Sequence, residues 1–147
     1  MTTLERKIYQ RLPKDTPAKH RHREAGILAS WEQLEQAELV RFQHEPDDIS
    51  TAEDLYGDMF NEKYADCCPG GLRTMRAQKK AYDKSIDMDG IWGIIGEYRL
   101  NPESEWEHGG SCWGFIGNEW SHAECDIKAE TMHGLKSTLR SRQLLGM

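Results

Sequence analysis

The chain has 147 residues, of which 37% are hydrophobic and 30% are charged, and its formal net charge at neutral pH is −6. That length favours one domain, and the 13 aromatic residues argue against disorder. No apolar run approaches the roughly 20 residues of a membrane span, and the N-terminus lacks the apolar core of a secretory signal. We therefore expect a cytoplasmic protein without membrane contact, with its four cysteines reduced.

Three helices are predicted in the first half of the chain. Thr2 and Glu5 fit a capping box, which predicts a helix from Thr2 to Leu12 that Pro13 closes. Thr16 and Pro17 predict the start of a second helix, which we extend to about Gln43. A second capping box begins at Thr51, and apolar residues at steps of three and four predict a helix over 51–64.

A basic helix, a hairpin and a final helix are predicted in the second half. The helix is expected over 72–84, and it projects lysines and arginines. The phrase that begins at Trp92 is repeated at Trp113, with a turn signal at 101–104 between the copies, which predicts a β-hairpin. With that turn, each opposed pair of residue numbers sums to 205, so Trp92 is expected to face Trp113. A β-bulge at Gly109 and Gly110 is the alternative, and it would shift this register by one beyond that point. The repeated glycines are interpreted as small residues that permit close approach. A third capping box predicts the last helix over 122–139.

The predicted fold class is α+β. About five helices are expected to pack on an antiparallel hairpin or small sheet over residues 90–118. We predict a single domain over 1–147, mainly helical over 1–86, with the hairpin over 87–120 and the C-terminal helix over 121–143. The residues expected in the core are Leu28, Trp31, Leu55, Met59, Phe60, Trp92, Ile94, Trp113 and Phe115.

Charge is unevenly distributed along the sequence. Residues 24–66 carry twelve acids and two bases, and most of these acids are expected on two helices. This excess over what solubility requires favours a surface that imitates a phosphate track and occupies a basic groove of a nucleic-acid-binding protein. Together with exposed tryptophans of the hairpin, the predicted partner-binding residues are Glu35, Glu38, Asp47, Asp48, Asp54, Asp58, Glu62, Trp106 and Trp120.

Two alternatives remain open at this point. The basic helix 72–84 could contact phosphates through Arg73, Arg76, Lys79 and Lys80, although no known nucleic-acid-binding motif is present and the sequence pI is about 5.5. The other alternative is a small metal- or thiol-dependent enzyme, because zinc sites use pairs of His and Cys at short spacing. Its candidate ligands are His108, Cys112, His122 and Cys125.

The hairpin also supports a resemblance. The segments Gly90–Tyr98, Trp106–His108 and Ser111–Gly117, the last of the type S-C-W-G-F-x-G, together cover about 30 residues. They resemble a stretch in small uncharacterised proteins of bacteriophages and other mobile elements. The resemblance transfers no catalytic residue. It implies a context in which small acidic accessory proteins inhibit host defence, including anti-CRISPR and antirestriction proteins.

The leading functional hypothesis is therefore a non-enzymatic binding protein with no cofactor. We expect its partner to be a protein, a basic nucleic-acid-binding complex of the host, and direct nucleic-acid binding is less favoured. If the gene belongs to a phage, the protein is expected in the host cytoplasm.

Overall fold

In a computed structural model of the chain, the structure describes residues 2–12, 14 and 16–144. Five α-helices and a three-stranded antiparallel sheet make up its regular structure, in addition to short 3-10 turns. The fold class is α+β, as the sequence predicts. The helices are α1 (Thr3–Arg11), α2 (Ala18–Gln36), α3 (Ala52–Tyr56), α4 (Gly71–Asp89) and α5 (Glu124–Leu144), and the strands are β1 (Val40–Pro46), β2 (Ile91–Tyr98) and β3 (Glu107–Ile116). Among the described residues, no helix is both long enough and apolar enough to cross a bilayer.

The strand β1 was missed by the sequence analysis, which continued the second helix to Gln43. The helix α2 ends instead in a Schellman turn, in which the N–H of Leu39 donates to the carbonyl of Leu34 (3.0 Å) and that of Glu38 to Glu35 (3.0 Å). Glu38 takes the left-handed conformation there (φ 60°), a position usually held by glycine. The prediction was wrong because no glycine signals this stop.

The sheet order is β1-β2-β3, so β2 is central. The N–H of Asp47 donates to Ile91 (2.8 Å) and the N–H of Arg99 to Leu39 (2.9 Å), and these two bonds fix an antiparallel register along β1 and β2. At the far end of β3, the N–H of Gly117 donates to Gly90 (2.9 Å).

The predicted turn is present, but the predicted hairpin register does not hold at the end of the hairpin away from that turn. The N–H of Ser104 donates to Asn101 (3.0 Å), as expected for a turn over 101–104. However, β2 ends at Tyr98 and β3 begins at Glu107, so a long loop joins them. Gly90 stands opposite Gly117, two positions away from the predicted partner. The Trp113 ring lies over Gly93, where any Cβ would collide with it, and Trp113 is 45% exposed instead of buried.

The structure divides into two compact units. The first unit consists of the described parts of residues 1–43, 94–112 and 122–147, and the second unit of residues 44–93 and 113–121. Each strand belongs partly to one unit and partly to the other, which is why both units are built from separate stretches of sequence.

The first unit has two apolar clusters. Trp31, Val40, Tyr98, Met132 and Leu135 form one of them, which involves α2, α5 and the sheet. The other joins α1 to α2, and Leu28 packs at its edge. The α1 capping box is confirmed, since Thr2 Oγ1 accepts from the N–H of Glu5 (3.1 Å), whereas Pro13 lies outside the described residues. Pro17, not Thr16, is the N-cap of α2.

The helix α5 differs from its prediction at both ends. It begins at Glu124, after a 3-10 turn over Glu119–His122, and it continues through Gly134 to Leu144. Gly134 lies within the helix, and the ring of Tyr98 packs against it where a Cβ would be only 2.9 Å away.

The second unit has one apolar cluster, formed by Ala52, Phe60, Met75, Ile86, Ile91 and Ile116, with Leu55 and Tyr82 packed against it. The predicted helix over 51–64 is wrong beyond Tyr56. Its capping box forms, because Thr51 Oγ1 accepts from Asp54 (3.1 Å), but Gly57 (φ 57°) ends α3 and 3-10 turns follow. As a result Met59, expected in the core, is 56% exposed.

Candidate functional site

The second unit contains an open cleft of about 660 Å³. Its walls come from the end of β1, the last turns of α4, the start of β2 and the segment after β3. Four rings and two carboxylates define its chemistry: His44, Tyr82, Trp92 and Trp120, with Asp89 and Glu119.

The rings of Trp92 and Trp120 both contact the ring of His44. The His44 imidazole stacks on the Trp120 indole, with ring centroids 5.0 Å apart and planes 12° apart. The Trp92 ring approaches His44 edge-on, at 5.5 Å and 60°. Trp92 is held in place by its indole N–H, which donates to the carbonyl of Asp89 (2.9 Å). The cleft therefore presents oriented aromatic faces, which carry partial negative charge.

Asp89 is positioned by the turn from α4 into β2. It is the last residue of α4, and Gly90 (φ 74°) ends the helix with its N–H donating to Ile86 (2.8 Å). The Asp89 side chain lies against Gly117, where a Cβ would be 3.2 Å from the Asp89 Cβ. Gly117 also has a positive φ (59°), so this wall of the cleft requires glycine for two reasons.

Glu119 lies near two tyrosines at the rim. Burial, the neighbouring Tyr82 and the negative charge of Glu119 raise the pKa of the Tyr56 hydroxyl, in that order of importance. The rings of Tyr56 and Tyr82 are 5.0 Å apart. The Glu119 carboxylate lines this side of the cleft, and its negative charge favours a positively charged ligand.

The charge of the two units differs. The sequence segments of the first unit contain thirteen Lys or Arg and thirteen Asp or Glu, so their charges cancel. Those of the second unit contain six and twelve, a net charge of −6 that equals the charge of the whole chain. The cleft thus lies in the part of the molecule that carries all of its net negative charge, and its lining, within 2–12, 14 and 16–144, contains no Lys or Arg.

The predicted acidic surface is divided between the units. Glu35 and Glu38 belong to the first unit, and Asp47, Asp48, Asp54, Asp58 and Glu62 to the second. The expectation that most acids of 24–66 lie on two helices is wrong, because many fall in β1, loops and 3-10 turns. Asp48, Asp54 and Asp58 are exposed and have no ion-pair partner among the described residues.

Several predicted contact residues already have partners within the chain. The Glu35 carboxylate accepts a hydrogen bond from the indole N–H of Trp31 (3.1 Å). The bond from Arg99 to Glu38 (2.7 Å) reaches the backbone carbonyl and not the carboxylate. Glu62 pairs with Arg76 (2.7 Å), and this hydrogen bond and charge lower the pKa of the carboxyl.

The two predicted tryptophans have different environments. Trp120 lines the cleft. Trp106, in the first unit, lies under two guanidinium groups, those of Arg41 at 4.5 Å and Arg99 at 4.2 Å from the ring centroid. Arg41 also pairs with Glu97 (2.9 Å). Trp106 is thus already engaged by cations of the chain itself.

The basic residues of the nucleic-acid alternative lie on α4 and are partly neutralised. Arg76 pairs with Glu62, and Lys79 pairs with Glu53 (3.2 Å). Arg73 and Lys80 are exposed. Acidic side chains thus pair with two of these bases of α4. Nucleic-acid binding through α4 would instead require a continuous basic face.

The residues of the metal alternative are not brought together as a ligand group. Within 2–12, 14 and 16–144, no three His, Cys, Asp or Glu side chains cluster as metal ligands. His108 Nε2 hydrogen-bonds with Ser111 Oγ (3.1 Å), and Cys112 and His122 are exposed. Burial, together with the nearby Glu24, raises the pKa of Cys125 to about 11. That pKa disfavours the thiolate which a nucleophile or a zinc ligand requires at neutral pH.

Sequence analysis missed most of the cleft. It assigned Trp92 to the core and did not select His44, Tyr82, Asp89 or Glu119. One signal was available, because Val40, Phe42 and His44 alternate with polar residues, as in a strand. The pairing of His44 with Trp120 depends on tertiary structure alone.

No protein-family model, no curated protein and no solved structure matches this chain significantly.

Proposed function

We propose that this protein is a non-enzymatic binding protein whose second unit docks on a basic protein surface, and that it inhibits a host nucleic-acid-binding defence complex of the CRISPR or restriction type. The observation that carries the proposal is the location of the net charge, since the second unit holds all of it and the first unit is neutral.

Electrostatic complementarity supports this kind of partner. A protein that grips nucleic acid presents a groove of lysines and arginines, and a compact acidic body can compete for it. Asp48, Asp54 and Asp58 are exposed and retain their charge for a partner, whereas Glu62 is neutralised by Arg76. The contact surface that we propose is therefore narrower than the acidic segment of the sequence.

Phage plating on defended bacteria tests the proposal. The protein is expressed in a panel of strains that each carry one CRISPR or restriction system, and each strain is challenged with a phage that its system targets. We expect plating to rise by at least about tenfold on one strain, since defence fails when its nucleic-acid groove is occupied. The variant D48N/D54N/D58N should lose most of this gain.

A matched variant controls for the change in charge alone. Glu103, Glu105 and Glu107 are three exposed acids of the first unit, and E103Q/E105Q/E107Q removes the same number of charges. This control should plate like the unmodified protein. No gain on any strain, or an equal loss in both variants, would refute the proposal.

A further inference from the structure

We propose that the cleft of the second unit binds the guanidinium group of an arginine side chain supplied by the partner. This inference deepens the proposed function, on which it rests, because it names the chemical group that the acidic unit recognises. Three features of the cleft favour such a ligand: its rings, its carboxylates and the absence of a basic side chain from its described lining.

The rings provide stacking surfaces for a planar cation. A guanidinium is flat, delocalised and weakly hydrated, so it stacks on aromatic faces more readily than an ammonium does. The indoles of Trp92 and Trp120, both half-buried, contact the His44 ring and are oriented by these ring contacts and by the bond from Trp92 to Asp89. Rings that are already ordered lose little conformational entropy on binding.

The carboxylates provide acceptors for the guanidinium N–H groups. Asp89 and Glu119 line the same cleft as the rings, and both side chains are exposed to an incoming ligand. Arginine offers five N–H donors in a fixed planar arrangement, which matches two acceptors better than the point charge of lysine does. Among the residues that the structure describes, no Lys or Arg lines the cleft beside these acids.

The first unit shows the same chemistry within the chain. Trp106 lies under the guanidinium groups of Arg41 and Arg99, and Arg41 also pairs with the Glu97 carboxylate. Indole and carboxylate together thus hold an arginine in this protein. In the second unit indoles and carboxylates line one cleft, and its lining among the described residues includes no arginine.

Indole N–H signals in NMR spectra test this directly. The protein is titrated with N-acetyl-arginine methylamide, the lysine analogue, tetramethylammonium and the neutral isostere N-acetyl-citrulline methylamide. The arginine probe should shift the Trp92 and Trp120 signals, while Trp106, already covered by two arginines, should shift little. We expect the lysine probe and tetramethylammonium to bind several-fold more weakly than arginine, and citrulline to leave all signals in place.

Two variants separate the cleft from general charge. D89N/E119Q should weaken arginine binding about fivefold or more, since two charge-assisted contacts are lost. E103Q/E105Q, with the same change in charge in the first unit, should bind as the unmodified protein does. Equal binding of arginine and citrulline, equal or tighter binding of lysine or tetramethylammonium, or no shift at Trp92 and Trp120 would overturn the inference.

The outcome is distinguishable from that of the proposed function. If the arginine probe binds in the cleft but phage plating rises on no strain, arginine recognition by the cleft is supported and the inhibitor proposal fails. If D48N/D54N/D58N abolishes the plating gain while arginine binds nowhere in the cleft, the inhibitor proposal is supported and this inference fails.

Discussion

At the scale of single residues, glycines determine how α5 packs on the sheet in the first unit. Gly96 of β2 and Gly109 of β3 leave room for Thr131, a buried residue whose hydroxyl donates to the carbonyl of Ile127 (2.8 Å). The interpretation of the repeated glycines as sites of close approach is confirmed at Gly93 and Gly96.

The Gly96 contact predicts a large effect of one methyl group. Gly96→Ala should lower the free energy of unfolding by about 1–3 kcal/mol, because the new Cβ would overlap Thr131 Oγ1 and press on Ile127. Urea unfolding measures the effect. Gly26→Ala is the control, since Gly26 lies within α2 with no atom close to its Cβ position, and this change should stabilise by about 0.5–1 kcal/mol. The same sign for both variants would contradict this packing.

At the scale of elements, two of the predicted helix starts and the predicted turn follow from local signals. The capping residues Thr2 and Thr51 and the turn over 101–104 are seen at the predicted positions because each depends on hydrogen bonds between near neighbours. The stop of α2 at Glu38 and the hairpin register depend on tertiary packing that overrides local preference. The cleft depends on such contacts throughout, so only Trp120 among its residues could be proposed from sequence.

The pairing between α4 and the 3-10 turn over Glu62–Cys67 gives a prediction at this scale. Arg76 lowers the pKa of Glu62 through a hydrogen bond and its charge, so Arg76→Gln should raise that pKa toward its ordinary value. The Glu62–Arg76 pair stabilises the folded protein at pH values above the ordinary pKa of a glutamate. This stabilisation is lost as the pH falls through the lowered pKa that Glu62 has in the folded protein. NMR titration of the Glu62 carboxyl measures the shift. Lys80→Gln, at an exposed position of the same helix, should change the pKa of Glu62 much less. An equal change of this pKa in both variants would argue against the Glu62–Arg76 ion pair.

At the scale of the whole molecule, the separation of charge between the units links structure to function. Sequence alone shows that acids are concentrated over 24–66, but it assigns them to one surface. The structure distributes them between two units and pairs Glu53 and Glu62 with the bases of α4. What remains is an acidic second unit with an aromatic cleft. The central claim is that this unit, and not the total charge, directs the protein to a basic partner.

The salt dependence of binding to a basic probe tests this claim most directly. A fluorescent oligo-arginine peptide is titrated with each protein between about 50 and 200 mM salt, because screening weakens contacts between exposed charges. The account predicts that D48N/D54N/D58N binds several-fold more weakly with a shallower salt dependence, while E103Q/E105Q/E107Q matches the unmodified protein. Equal affinity and equal salt dependence in the two variants would contradict it.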